Sequence, residues 1–162
     1  LRPSVARAPP RPLNGLTLSF ASYAAMKFAD IVNPTEAELR QWAANPNASY
    51  PDEMSQDWDL VVADWARVDL IAELAGDDSC PTSGFFLAVL YLMAGDCVRN
   101  VAGNVNVSNL RALLARLENT PSESLRLFRT RALALLADPL KFDYSLWCDG
   151  GYAYGRDPAG EG

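Results

Sequence analysis

Phe85-Phe86-Leu87-Ala88-Val89-Leu90-Tyr91-Leu92-Met93-Ala94 is a run of ten residues with no charge, no amide side chain and no turn former. A bilayer-spanning helix needs about 20 apolar residues, so the run is too short to cross a membrane. A helix that is apolar on every side belongs at the buried centre of a bundle. The run therefore predicts a central helix over about 82–100, surrounded by others.

The flanking sequence supplies those others. Downstream, Ser108 is placed to cap a helix carrying Leu110, Leu113, Leu114 and Leu117 on one face. Thr120-Pro121-Ser122-Glu123 then gives a cap, a proline and an acid. It opens a helix with Leu125, Phe128, Ala132, Leu135 and Leu136 inward, ended by Asp138-Pro139. Upstream, one helix is expected from Ser55–Asp57 to Gly76, with Trp58, Val61, Val62, Trp65, Val68, Ala72 and Ala75 at three- and four-residue spacings. Asn33-Pro34-Thr35-Glu36 repeats the cap–proline–acid signature before Leu39 and Trp42, with Thr35 and Glu38 as an alternative capping box. Val101–Val107 alternates valine with glycine and asparagine and reads as a loop. The expectation is an all-α, single-domain bundle of about five helices around the central apolar one.

The ends differ from the body. Residues 1–25 hold Arg2, Arg7 and Arg11, no acid, and four prolines by Pro12. They read as a non-core extension, either a targeting segment or sequence upstream of a start at Met26. The helical domain is placed at 26–155, with a frayed end over 156–162.

Composition excludes much chemistry. There is no histidine, which removes the usual general base and the commonest transition-metal ligand. Ser-His-Asp and Cys-His catalysis cannot be built within the chain, nor can a carboxylate–histidine di-iron bundle. Cys80, Cys97 and Cys148 form no C-x-x-C and are too few for a four-cysteine zinc site. Their odd number argues for reduced thiols and a cytoplasmic protein. Neither G-x-x-x-x-G-K-[ST] nor G-x-G-x-x-G occurs. No metal and no cofactor are expected. A net charge of −6 argues against nucleic acid and anionic membranes as partners. The abundance of Ala, Arg and Pro points toward a bacterial source.

Charge is unevenly spread. Asp30 to Asp78 holds twelve acids against Arg40 and Arg67, whereas Arg99 to Arg131 holds six arginines against Glu118 and Glu123. One reading is ordinary ion pairing across helices. The other is an acidic helical face, made of Asp57, Trp58, Asp59, Asp64, Asp69 and Glu73, that docks a basic protein by electrostatic steering. On that reading the chain is a small non-enzymatic interaction module of inhibitor, antitoxin or immunity type. An alternative is a helical ligand-binder or enzyme. Its pocket would lie near the aromatic, glycine-rich tail, using Trp147, Cys148, Asp149, Tyr152 and Tyr154 with Arg126 or Arg129. Against that pocket stands the reading in which Phe142, Tyr144, Leu146 and Trp147 cover one end of the bundle. A structural or assembly subunit is the third alternative.

Overall fold

The computed structural model describes residues 26–45, 47–49, 57–99 and 105–155. The segments read from sequence as an extension (1–25), as a frayed end (156–162) and, for the most part, as the loop before the second helix lie outside the described residues. Within them the chain folds as one all-α domain of seven α-helices and no strand. They are α1 (Glu36–Ala43), α2 (Trp58–Val62), α3 (Val68–Gly76), α4 (Ser83–Arg99), α5 (Val105–Arg116), α6 (Glu123–Ala137) and α7 (Tyr144–Trp147). Five of these reach eight residues or more, matching the expected number of main helices.

α4 is the axis. Phe85, Phe86, Cys97 and every residue from Val89 to Gly95 are buried, and α2, α3, α5, α6 and α7 all pack against it. An apolar surface on all sides leaves a helix no face for water, so its neighbours must enclose it. Two aromatic clusters lie along it. Phe85 and Phe86 meet Trp42 and Trp58 at the first, with Trp42 and Trp58 edge-on at 4.8 Å between centroids. Tyr91 meets Phe128, Trp147 and Tyr152 at the second, at 5.1–5.5 Å.

Three local expectations are corrected, and one of two alternatives is decided. The acidic segment is not one helix: α2 ends at Val62, and a 3-10 turn (Trp65–Arg67) leads into α3. The cause is Asp64, whose extended backbone and carboxylate, accepting from Ala66 N at 2.9 Å, make it the cap of a new start. The apolar spacing continues through the break because both pieces face α4 or its neighbours. Of the two starts expected for α1, the structure takes the alternative, the Thr35 capping box with Glu38, rather than Asn33. Glu38 also accepts from Ala29 N at 2.7 Å, tying the segment before α1 to its first turn. α6 starts from Ser122 rather than Thr120, because Thr120 ends the 3-10 turn that follows α5. α5 begins at Val105, so Val105–Val107 is helix and not loop, and Ser108 sits inside the first turns. Val107 packs against the core, and that burial extends the helix beyond the serine cap.

The last elements close one end. Asp143 caps α7, accepting from Leu146 N at 3.1 Å. Gly150 has φ +72°, and Gly151 N donates back to Ser145 O at 3.1 Å. A Cβ on Gly151 would lie 2.6 Å from that same carbonyl oxygen, so the return of the chain over α7 requires glycine there.

Candidate functional site

The two candidate residue sets are redistributed by the fold. In the acidic set, Trp58 is fully buried; its Nε1 donates to Ile31 O at 3.3 Å, and its ring stacks on Phe85. It is a core anchor under the segment 26–33, not a side chain presented to a partner. Glu73 takes Arg40 in a two-pronged pair at 2.6 and 2.7 Å, and Asp69 takes Arg116 at 2.8 Å. These acids join α3 to α1 and to α5. Hydrogen bonding to Arg40 holds the Glu73 carboxyl below its ordinary pKa. Asp64 is exposed and caps its own turn.

Asp57 and Asp59 remain. Asp57 precedes α2, is exposed, and makes no side-chain cap bond. Asp59 lies in the first turn of α2 and is partly buried. Its carboxyl is raised above the ordinary range, first by desolvation and further by the nearby Asp57 charge, while the Leu60 N–H bond opposes the shift. Leu60 beside it is 54% exposed, although it is a large apolar residue.

In the tail set, Trp147 is buried, edge-on to Tyr91 and Tyr152. Phe142 and Leu146 are half-buried and Tyr144 is exposed, so the first two help Trp147 to cover this end of the bundle. Tyr152 lies under the Arg131 guanidinium, 4.1 Å from ring centroid to Cζ. Arg131 also donates to the Tyr91 hydroxyl at 3.1 Å. Burial raises the Tyr91 pKa in spite of that bond. The α6 arginine at the tail is thus Arg131. Arg129 instead donates to Leu114 O at 2.8 Å, at the end of α5, and Arg126 is exposed. Asp149 is exposed.

Where the two sets approach each other, a seam forms between α2, α4 and the tail. The Asp59 charge contributes to raising both the Tyr154 hydroxyl and the Cys148 thiol, after burial in each case. Tyr154 is 66% exposed, and its ring passes beside Gly150 and Gly84. Asp96 of α4 also acts on Cys148. Its Oδ1 is buried and accepts no hydrogen bond: Arg99 Nη2 lies 2.9 Å away but out of line. Asp96, Arg131 and Tyr91 were not among the residues singled out from sequence. Asp96 had a legible signal, as the one acid in α4; the positions of the other two depend on how α6 packs.

The seam has little capacity for nucleophilic or metal chemistry. Burial pushes Cys148 up to about 11 and Cys97 up to about 12, so both are thiols at neutral pH. Among the described residues no three of His, Cys, Asp or Glu are grouped as metal ligands. What the seam does offer is a partly desolvated carboxylate, Asp59, with an exposed apolar side chain and an exposed aromatic ring nearby.

Fold and site together define a class: a small all-α bundle in which Asp69 and Glu73 are taken up by structural ion pairs, while Asp57, Asp59 and Asp64 form no ion pair among the described residues. Comparison with protein-family models, curated protein sequences and solved structures finds no match in any of the three. No helix among the described residues is long and apolar enough to cross a membrane.

Proposed function

We propose that this chain is a small non-enzymatic interaction module, of inhibitor, antitoxin or immunity type, which binds a basic protein through the edge formed by Asp57, Asp59 and Asp64. One observation carries the reading. Asp59 is a partly desolvated carboxylate whose raised pKa has no cationic group among its causes. Folding has already removed part of its water, so an arginine or lysine from a partner gains Coulomb attraction at a reduced desolvation cost. Exposed Leu60 supplies apolar contact beside it. Asp69 and Glu73 support the edge by joining α3 to its neighbours and are not contact residues in this proposal.

The test is affinity capture with the chain as bait, from lysate of its source, in parallel with Asp57→Lys/Asp59→Lys. The proposal expects one stoichiometric basic protein on the native bait, released by salt and lost on the double variant at unchanged helicity. A partner retained equally by both baits would overturn it.

A second reading is favoured by one observation only, the buried Asp96 Oδ1 without a hydrogen bond. It is a ligand site in the seam at Cys148 and Tyr154, for a small molecule bearing a donor group. Binding of members of an amine library, read by tryptophan fluorescence and lost in Asp96→Asn, tests it.

A further inference from the structure

Residues 26–33 precede α1 and contain no helix or strand. Lys27, Ala29, Asp30, Val32 and Asn33 are exposed, Val32 to 72%. Met26 and Phe28 pack against the core, each half-buried. Three hydrogen bonds tie the segment to the body, each through one side chain of a different element. Glu38 of α1 accepts from Ala29 N at 2.7 Å, Trp58 of α2 donates to Ile31 O at 3.3 Å, and Arg67 of the 3-10 turn donates to Asn33 Oδ1 at 2.8 Å. Val32 N and Asn33 N both donate back to Asp30, so the segment also holds a turn of its own. Buried Pro34 marks its fixed end.

We infer that residues 26–33 are a strap that opens and closes over Trp58 while the bundle stays folded, and that the Glu38 carboxylate is its latch. A segment opens by itself when it buries little apolar surface and carries few bonds to the body. α4, enclosed by five helices, is the opposite case and is released only by global unfolding. Opening strands no donor, because the strap is what separates Trp58 Nε1 from water.

What the strap covers is one side of the first aromatic cluster. Phe28 meets Trp58 edge-on at 5.2 Å between centroids, and Trp58 in turn meets Trp42 and Phe85. α2 has five residues and no side-chain cap bond, so its seat depends on Trp58, and closure of the strap holds that seat. The strap does not depend on the acidic-edge proposal; where that proposal holds, the strap also steadies the edge, because Asp57 and Asp59 flank Trp58 in sequence.

The latch needs two acceptor oxygens. Oε1 of Glu38 takes Ala29 N, while Oε2 takes Thr35 N at 2.8 Å and Thr35 Oγ1 at 2.7 Å. One carboxylate thus serves strap and helix cap together. The bonds from Ala29 and Thr35 hold it below its ordinary pKa, so it is ionised at neutral pH. A glutamine has one acceptor oxygen and presents an amide N–H at the other position. Two donors meet Oε2 and one meets Oε1, so in Glu38→Gln the oxygen goes to the cap and the strap loses its bond.

The test is amide and indole hydrogen exchange, read by NMR on the full chain at neutral pH and at several low urea concentrations. The Ala29 amide and the Trp58 indole N–H should exchange at least tenfold faster than the Leu90 amide and with little dependence on urea, whereas Leu90 should follow global unfolding. Glu38→Gln removes a charge-assisted bond and should speed Ala29 and the Trp58 indole together, by about tenfold to a hundredfold. Thr35→Ala weakens the α1 cap in both the closed and the open strap, so it should speed Leu90 and leave Ala29 within about twofold. An Ala29 amide that exchanges at the free-peptide rate, or with the urea dependence of Leu90, overturns the inference. So does a Trp58 indole that does not follow Ala29, an Ala29 rate unmoved by Glu38→Gln, or a Thr35→Ala effect on Ala29 as large as that of Glu38→Gln.

Discussion

Shortening Leu90 to alanine tests the placement of α4 most directly. Leu90 is 1% exposed in the middle of the central helix. The change removes three carbons, worth about 0.8 kcal/mol each in transfer from water, or roughly 2.4 kcal/mol. The cavity left behind adds to this, because a helix gripped by five neighbours cannot collapse onto the space; buried Leu→Ala changes cost about 2–5 kcal/mol in total. For a domain of this size each kcal/mol lowers Tm by roughly 3–5 °C, giving a fall on the order of 6–25 °C. Leu140→Ala is the matched control: the same atoms are removed from a side chain that is 96% exposed, and the expected change is within about 0.5 kcal/mol. Urea unfolding followed by far-UV circular dichroism and tryptophan fluorescence reads both, with the midpoint shifted and the slope unchanged. A Leu90→Ala loss below about 1 kcal/mol, or one equal to that of Leu140→Ala, would show that α4 is not the buried axis.

Three further outcomes are expected. Because the folded Asp59 carboxyl sits above its ordinary pKa, the folded state binds that proton more tightly than the unfolded state, and stability falls as pH rises from the ordinary value through the folded one. Asp59→Asn should remove that fall and raise Tm at neutral pH; a Tm profile parallel to that of the native chain would contradict the desolvation argument. Gly95→Ala would set a Cβ 3.0 Å from Phe142 and Trp147 and 3.1 Å from Cys148 Sγ, forcing α7 outward at about 1–3 kcal/mol. Tryptophan fluorescence should shift to the red, and an unchanged spectrum and Tm would mean that the tail is not seated on α4. With thiols raised to about 12 and about 11, Cys97 and Cys148 should react with iodoacetamide at neutral pH far more slowly than in urea; equal rates in both would place them in solvent.

The α4 core could be read from Phe85–Ala94 because an uninterrupted apolar run has one physical outcome at that length: burial on all sides. Leu39, Trp42, Leu110, Leu113, Leu114, Leu125, Phe128 and Ala132 were legible for the related reason that their spacing selects one helical face, and all are buried. Helix boundaries were less legible. At Asp64 a local carboxylate–amide bond competes with the helical ladder, and at Ser108 a good cap is overridden by burial of Val107. Periodicity registers neither competition.

Of the candidate site, sequence by itself determined the chemistry that is missing and the residue types that remain: no histidine, no phosphate-binding glycine pattern, and a surplus of acids before residue 78. Only the tertiary structure decided which acids are neutralised. Arg40 with Glu73 and Arg116 with Asp69 are 33 and 47 residues apart, and nothing local to either partner specifies the other. It also decided that Trp58 is core, that Arg131 rather than Arg126 or Arg129 holds the tail, and that Asp59 lies close enough to Tyr154 and Cys148 to act on both. Helical periodicity states which way a side chain faces relative to its own axis. The partner it meets depends on how helices cross, and that angle is set by the packing of all of them at once.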